Sequence, residues 1–359
     1  MALQFILGPS GAGKSEYIYE DIIRRTMQDE RENVIVLVPE QYSLEIQRKL
    51  VQKHPRGGSF QIDVIGFNRL AYRIFDELHI KPKKVLEDFG KSMLLRKAAQ
   101  EHKEELSLYA GSLDKAGFID EAKSLMSEIY QYDIPRERLR EALQKLDDSE
   151  EARVLARKLQ DMLVIFDAFE EKKGQSFIVA EQMLELLTAA AEQSELIAGS
   201  EIVLDGFTGF TPIQLNLISV LLRRAKKVTI VLTIDAATYE KKHVAEHELF
   251  ALTKQTIEHL LLTAEQAHVV VEPALFLGKD GCKRWSKGHP LAHLEQNLFR
   301  YPYRVGKDEE QAITITAYDT PAQELTGVAE QIRTLVMEQG YRSVSYTHLR
   351  AHETRGNLV

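Results

Sequence analysis

The feature that most constrains the fold of this chain is the octapeptide GPSGAGKS at residues 8–15. It fits the phosphate-binding loop pattern G-x-x-x-x-G-K-[ST], with an apolar run before it, Leu3 to Leu7, and a helical pattern after it, Ser15 to about Met27. Glycines here let the backbone curl so that N–H groups point at phosphate oxygens, and the helix N-terminus adds the positive end of its dipole. We therefore predict a nucleotide-binding loop (the P-loop) formed by Gly8, Pro9, Ser10, Gly11, Ala12, Gly13, Lys14 and Ser15.

Two side chains of the P-loop have predicted roles in binding ATP and Mg²⁺. Lys14 is expected to reach the β and γ phosphates, and Ser15 to ligate Mg²⁺. A second acidic group for the metal is expected at the end of another buried strand, and the segment EIVLDGF offers Asp205 there. The alternative is a strand-end aspartate that only caps the following turn. Because the next residue is Gly206 and not an acid that could activate water, we expect weak or absent ATP hydrolysis.

Apolar runs without alternation predict parallel strands that are buried on both faces. They occupy Asn33 to Pro39, Glu201 to Phe207 and Lys227 to Asp235, a further strand is predicted around Ile62 to Ile65, and a helix is predicted over Pro212 to Arg224. Between the strand around Ile62 to Ile65 and the run that begins at Glu201, long helices with apolar residues three and four positions apart are predicted instead. The sequence therefore predicts an α/β fold whose parallel sheet is interrupted by a helical insertion.

The predicted boundaries follow these changes of pattern. The first domain comprises residues 1–84, which carry the P-loop, and residues 197–305, with the helical insertion at residues 85–196. Residues 306–343 begin a second α/β domain, with a strand in AITITAYD and a helix near Pro321. The stretch from 274 to 303 is predicted as a loop.

The last sixteen residues, 344–359, are predicted not to be native sequence. The segment VSYTHLRAHET, Val344 to Thr354, matches one reading frame of a common transposase-based sequencing adapter. We therefore expect the native sequence to end near Ser343, and the second domain to be truncated. This expectation also discounts His348 and His352 as metal ligands.

Composition narrows the class of protein. A single cysteine, Cys282, cannot form an internal disulfide, and no apolar run approaches the roughly 20 residues of a membrane span, so we expect a cytoplasmic protein with no membrane segment. The formal charge of −8 argues against a protein that binds nucleic acid over its whole surface, but it is compatible with a local basic groove.

Side chains that follow two of the predicted strands are candidates for contact with DNA. Gln41 and Tyr42 come after the second strand, and Phe67 and Arg69 after the third, at the sheet edge where open α/β proteins bind ligands. An aromatic ring there can stack on a base. Loop anchoring and helix packing explain these residues equally well. Asn68 is the predicted N-cap of the following helix.

The motifs together resemble one family, the AddB (RexB) subunits of the bacterial AddAB helicase-nuclease. The likeness runs in order through FILGPSGAGKS, VIVLVPEQYSLE, VIGFNRLAYRIF, LLRKAAQEHKEEL, DKAGFIDEAKSLMSEI, IVLDGFTGFTPIQ, LAHLEQNLF and GVAEQIRTLVMEQGYR. It covers essentially all of Met1 to Arg342. The resemblance implies an α/β fold of the superfamily I helicase type, with a RecA-like P-loop NTPase domain, a helical insertion and the start of a second RecA-like domain.

The resemblance also implies function and partners. Such subunits bind ATP, pair as a heterodimer with an AddA-type helicase subunit, take part in Chi recognition and act on DNA in double-strand break repair by homologous recombination. They carry a C-terminal nuclease domain with an iron-sulfur cluster, which we expect only in a C-terminal region that this chain lacks. No nuclease or cluster role is therefore assigned to it. A P-loop scaffold that does not hydrolyse ATP and a small-molecule P-loop kinase are the alternatives.

Overall fold

A computed structural model describes residues 1–29, 31–115, 117–147, 149–174, 176–278, 283–286, 288–307 and 312–341. The chain divides into two compact units, Met1–Lys287 and Gly288–Val359. The predicted adapter-derived segment, residues 344–359, lies outside the described residues, as does Cys282.

Parallel strands organise the first unit. The strands are β1 (Ala2–Gly8), β2 (Asn33–Leu37), β3 (Ile62–Ile65), β4 (Lys84–Val85), β5 (Phe177–Ile178), β6 (Ser200–Leu204), β7 (Lys227–Thr233), β8 (Val270–Val271) and β9 (Leu275–Phe276). Seven of them form one parallel sheet in the order β3-β2-β6-β7-β1-β8, with β9 also paired to β1, and β4 pairs with β5 in a small second sheet.

Helices connect these strands and cover the sheet. They are α1 (Lys14–Gln28), α2 (Ser43–Lys53), α3 (Phe67–Glu77), α4 (Asp88–Glu101), α5 (Phe118–Gln131), α6 (Arg136–Gln144), α7 (Glu150–Lys173), α8 (Ala180–Ala191), α9 (Glu195–Ala198), α10 (Pro212–Arg224), α11 (Ala236–Glu240) and α12 (Ala251–Gln266). The second unit contains α13 (Pro290–Asn297) and α14 (Pro321–Met337). None of the helices in the described ranges is long and apolar enough to cross a membrane.

The large sheet is buried on both faces, as its unalternating apolar strands predict. In β2, Ile35 and Leu37 pack in one core with residues of α3, α8, α10 and α12, whereas Val34 and Val36 pack in another core with residues of α1 and α2. Successive side chains of a strand point to opposite faces, so every position of such a strand needs to be apolar. The predicted α/β fold with a parallel sheet is confirmed.

The helical segment between β3 and β6 leaves and rejoins the same sheet. Strand β6 lies beside β2, with Asn33 opposite Ser200, although the chain between them includes α4 to α8. This segment has its own core, in which Leu95, Met126 and Phe169 are buried. The exact domain boundaries given above stay predictions.

A buried carboxylate ties one loop to the longest helix of this segment. Asp161 of α7 is only 1% exposed and accepts hydrogen bonds from the backbone N–H groups of Ser107 (2.9 Å), Leu108 (2.7 Å) and Tyr109 (2.9 Å). The Ser107 hydroxyl donates a fourth, at 3.1 Å. Burial alone would raise the pKa of this carboxyl, but these donors outweigh it and hold the pKa below its usual range.

Two local predictions differ from the structure. The stretch predicted as a loop contains the short strand β9 and helix α13, which begins at Pro290 with the His289 ring accepting from Leu291 N–H. The predicted strand at Ala312 to Asp319 is not formed, since its described residues make no ladder with any described strand and are mostly exposed. An apolar β pattern is not sufficient without a neighbouring strand to pair with.

Candidate nucleotide site

The P-loop has the backbone that its glycines predict. Strand β1 ends at Gly8 and helix α1 begins at Lys14, with Gly11 and Gly13 at φ values of 74° and 83°. This left-handed region is unfavourable for residues that carry a Cβ. The Tyr17 N–H donates to Gly13 O at 2.9 Å, so the helix is formed from its first turn. The loop therefore turns sharply into a helix N-terminus, the arrangement that attracts phosphate.

The predicted phosphate-binding lysine lies across this loop. Its ammonium, Lys14 Nζ, donates to Gly8 O and to Pro9 O, each at 2.9 Å. The cation is thus held within the loop by two of its carbonyl oxygens.

The segment around β9 packs directly against the P-loop. Leu277 N–H donates to Leu7 O at 2.8 Å, and a Cβ added at Gly8 would lie 2.5 Å from Leu277 O. At the next residue, a Cβ added to Gly278 would lie 2.8 Å from the Cβ of Ala12. Gly8 is therefore required by the close approach of the Leu277 backbone.

The predicted metal-ligating aspartate lies at the end of β6, beside the P-loop helix. Asp205 is 5% exposed, and its N–H donates to Leu37 O at 3.0 Å. The buried Tyr19 hydroxyl donates to Asp205 Oδ2 at 2.6 Å, and the Ser15 side chain hydrogen-bonds to the same hydroxyl. The two predicted Mg²⁺ ligands therefore meet at one tyrosine. Hydroxyl and carboxylate oxygens are the donors that Mg²⁺ prefers, so these residues fit that ion.

The sequence pattern does not single out Tyr19. Its position four residues after Ser15 places it on the apolar face of α1, where a tyrosine is interpreted as core. Burial raises the pKa of the Tyr19 hydroxyl, and the negative charge of Asp205 and the hydrogen bond to it raise it further. The hydroxyl therefore remains protonated and continues to donate at neutral pH.

The turn after Asp205 explains why an acid is absent from the next position. Gly206 has φ 82°, and a Cβ there would lie 3.4 Å from Pro39 Cδ and 3.9 Å from Tyr42 Cδ2. A glutamate at this position would need a strained left-handed backbone. Adding the missing acid therefore requires a change of turn as well as a change of side chain.

Glu40 lies at the same sheet edge and supplies the cap of α3. Its carboxylate accepts from Asn68 N–H at 3.0 Å, and a Cβ at Gly66 would overlap with this carboxylate. The prediction of Asn68 as the N-cap is wrong: Asn68 is inside the first turn, and the N-cap is Gly66, which has no side chain to accept a hydrogen bond. A carboxylate from the neighbouring loop takes over that role and also interacts favourably with the helix dipole.

The predicted DNA-contacting residues lie at the ends of two adjacent parallel strands. Gln41 and Tyr42 are half-buried after β2, and Tyr42 packs against the core. Phe67 is half-buried after β3, with its ring centroid 5.4 Å from that of Phe207. Arg69 is exposed. The structure thus brings both pairs to one edge, and their contact with DNA stays a prediction.

The chain matches known proteins of one kind. A family model described as ADDB, N-terminal, matches residues 5–295. Proteins named as a subunit of an ATP-dependent helicase/deoxyribonuclease are similar to it. The one from Lachnoclostridium phytofermentans is 37% identical over 95% of this chain and 30% of its own length. Those from Clostridium novyi and Alkaliphilus metalliredigens are 30% and 32% identical over 95% of this chain and 30% and 29% of their own lengths.

The matched part of these relatives is a minor fraction of each. The chain spans about three-tenths of the length of the curated relatives it matches. The family model, in contrast, matches most of this chain. The match begins at Phe5, within β1, and includes the P-loop, Asp205 and the segment around β9 that packs on the loop. The chain therefore belongs to the AddB family, to whose N-terminal region it corresponds.

Proposed function

We propose that this chain is the ATP-binding N-terminal part of an AddB-type subunit and that it holds ATP with little or no hydrolysis of its own. The observation that carries this proposal is the P-loop between β1 and α1, with Ser15 and Asp205 joined through the Tyr19 hydroxyl. The name of the relatives, which calls them ATP-dependent, supports it.

Each residue of the site has a defined task in this proposal. Backbone N–H groups of the P-loop hold the phosphates, and Lys14 exchanges its two carbonyl acceptors for phosphate oxygens. Ser15 and Asp205 would hold Mg²⁺, and the ion would neutralise part of the phosphate charge. Because Gly206 offers no group to activate water, the bound ATP is retained rather than hydrolysed.

The wider role follows from family membership and is proposed in the same way. We propose a RecA-like core with a second RecA-like domain beginning after residue 305, in a cytoplasmic heterodimer with an AddA-type helicase subunit. The complex acts on DNA in double-strand break repair by homologous recombination. The relatives are named as one subunit of a helicase/deoxyribonuclease, which supports both a partner subunit and a DNA substrate. Nuclease and iron-sulfur functions are not proposed for the described residues.

Calorimetric titration of the chain with ATP and MgCl₂ tests the nucleotide proposal. We expect saturable binding by the unchanged chain and more than tenfold weaker binding by Lys14→Ala, because a charge-assisted contact to phosphate is lost. Lys158→Ala, a change of an exposed lysine on α7 in the helical segment, is the matched control and should bind as the unchanged chain does. Equal binding by Lys14→Ala and the unchanged chain would contradict the proposal.

A scaffold with a vestigial P-loop is the second candidate, and one observation favours it. Lys14 and Asp205 both have hydrogen-bond partners within the protein, so the site is satisfied without a ligand. Thermal unfolding with and without ATP and Mg²⁺ separates the two functions. A ligand that binds only the folded state raises the unfolding temperature, whereas a scaffold shows no shift.

Arg69→Ala tests the proposed DNA contact. Arg69 is exposed on the first turns of α3, at the edge that also carries Phe67. We expect its loss to weaken binding to single-stranded DNA by about threefold. The slope of log K against log salt concentration should fall in magnitude by about one, because one phosphate contact is lost. Fluorescence anisotropy over a salt series measures both. Arg157→Ala, on α7, is the control, and an unchanged salt slope for Arg69→Ala would remove this residue from the interface.

A further inference from the structure

A lysine from the far end of the first unit lies against the P-loop. The backbone N–H groups of Lys283 and Arg284 both donate to Gly11 O, at 3.0 and 3.2 Å. These bonds fix the start of the Lys283 side chain beside the glycine turn. The side chain then crosses Gly13, with Cδ 3.2 Å and Nζ 4.0 Å from the position that a Cβ on Gly13 would occupy.

This placement brings a second ammonium group to the loop. Gly13 immediately precedes Lys14 and starts the helix whose N-terminus faces the ligand, so a cation beside Gly13 is also beside the phosphates that the loop would bind. Lys283 is exposed, and its flexible stem allows the ammonium to move by several ångströms without any change of backbone. Its charge would add to that of Lys14 and of the helix terminus.

We propose that Lys283 is a second phosphate-binding cation of the nucleotide site, contacting the phosphate chain from the side of Gly13. The proposal rests on the proposed function, since it needs a nucleotide at the P-loop. The ligand class is a nucleoside di- or triphosphate, because a point charge at this place gains energy with each added phosphate. The adjacent Arg284 is not assigned this role, because its guanidinium lies 5.7 Å from the Trp285 ring.

No sequence pattern identifies Lys283 as a phosphate-binding residue. It belongs to a stretch without secondary-structure periodicity, and it is separated from Gly13 by most of the first unit. The contact exists because β9 pairs with β1 and so returns the chain to the P-loop.

The test is a calorimetric series with ATP, ADP, AMP and adenosine on the complete chain and on Lys283→Gln. We expect Lys283→Gln to bind ATP about tenfold more weakly, ADP less affected, and adenosine unchanged, since the lost interaction is with phosphate charge. Lys283→Arg retains the charge and should restore most of the affinity. The unfolding temperature of each variant without ligand shows that the fold is intact.

The outcomes distinguish this inference from the proposed function. If Lys14→Ala loses ATP binding while Lys283→Gln binds every ligand as the unchanged chain does, the role of Lys283 is overturned and the nucleotide site stands. A loss of the same size for adenosine as for ATP also overturns it, because the effect is then not electrostatic. If the unchanged chain binds none of these ligands, both the proposed function and this inference fail.

Discussion

Asp161→Ala is expected to lower the free energy of unfolding by about 3 kcal/mol, because the change leaves three backbone N–H groups and a serine hydroxyl without their charged acceptor. This carboxylate hydrogen-bonds the loop from Ser107 to Tyr109 to α7. Urea titration followed by circular dichroism measures the loss. Asp114→Ala, an exposed acid in the same helical segment, is the control and should change stability by less than about 0.5 kcal/mol.

The same residue makes a prediction about pH. Since the folded-state pKa of Asp161 lies below its usual value, its contribution is complete above that value, near pH 4, and is lost as pH falls through the folded-state pKa. The stability difference between the unchanged chain and Asp161→Ala should therefore be constant from about pH 8 to about pH 5 and shrink below about pH 4. A difference that grows on acidification would show that the carboxylate is not the stabilising species.

Gly8→Ala is expected to destabilise the fold by about 2 to 3 kcal/mol and to weaken nucleotide binding at the same time. The added methyl group would lie 2.5 Å from the backbone oxygen of Leu277, which is held in place by the hydrogen bond from Leu277 N–H to Leu7 O. Relief of this contact requires either β9 or the first turn of the P-loop to move.

The comparison with Gly111→Ala makes this prediction specific. A Cβ at Gly111 would meet nothing within 4 Å, so that variant should unfold and bind ATP as the unchanged chain does. Thermal unfolding and calorimetric titration on both variants give the two readouts. If Gly8→Ala has unchanged stability, the close approach of Leu277 does not constrain this position.

The parts of the fold that could be predicted from sequence are those determined locally. Strand β3 and helix α10 have the predicted bounds, since turn residues and Pro212 mark their ends. The P-loop could be placed because its glycines meet a backbone requirement that few other sequences satisfy. Asp205 could be placed because a buried strand that ends in an acid puts that acid at the ligand-binding edge of the sheet.

The parts that could not be predicted depend on contacts between distant segments. Tyr19 hydrogen-bonds to Asp205, which is 186 residues further along the chain. Glu40, in the loop after β2, accepts a hydrogen bond from the first turn of α3. Tyr19 fits an ordinary core pattern and Glu40 an ordinary surface pattern, so hydrophobic periodicity does not predict either contact. The strand predicted at Ala312 to Asp319 failed for the converse reason, because a β pattern does not specify a partner.

The position of β1 in the sheet has a consequence for biosynthesis. β1 is synthesised before its neighbours in the sheet, because β7, β8 and β9 begin at Lys227, Val270 and Leu275. Pairings of such large sequence separation form slowly, and synthesis at roughly 5–20 residues per second delays them further. More than two hundred residues are synthesised after β1 before the first strand that pairs with it. Until then both edges of this apolar strand lack their native partners. During synthesis β1 is thus an apolar strand with open edges, which is the kind of segment that pairs wrongly with other chains.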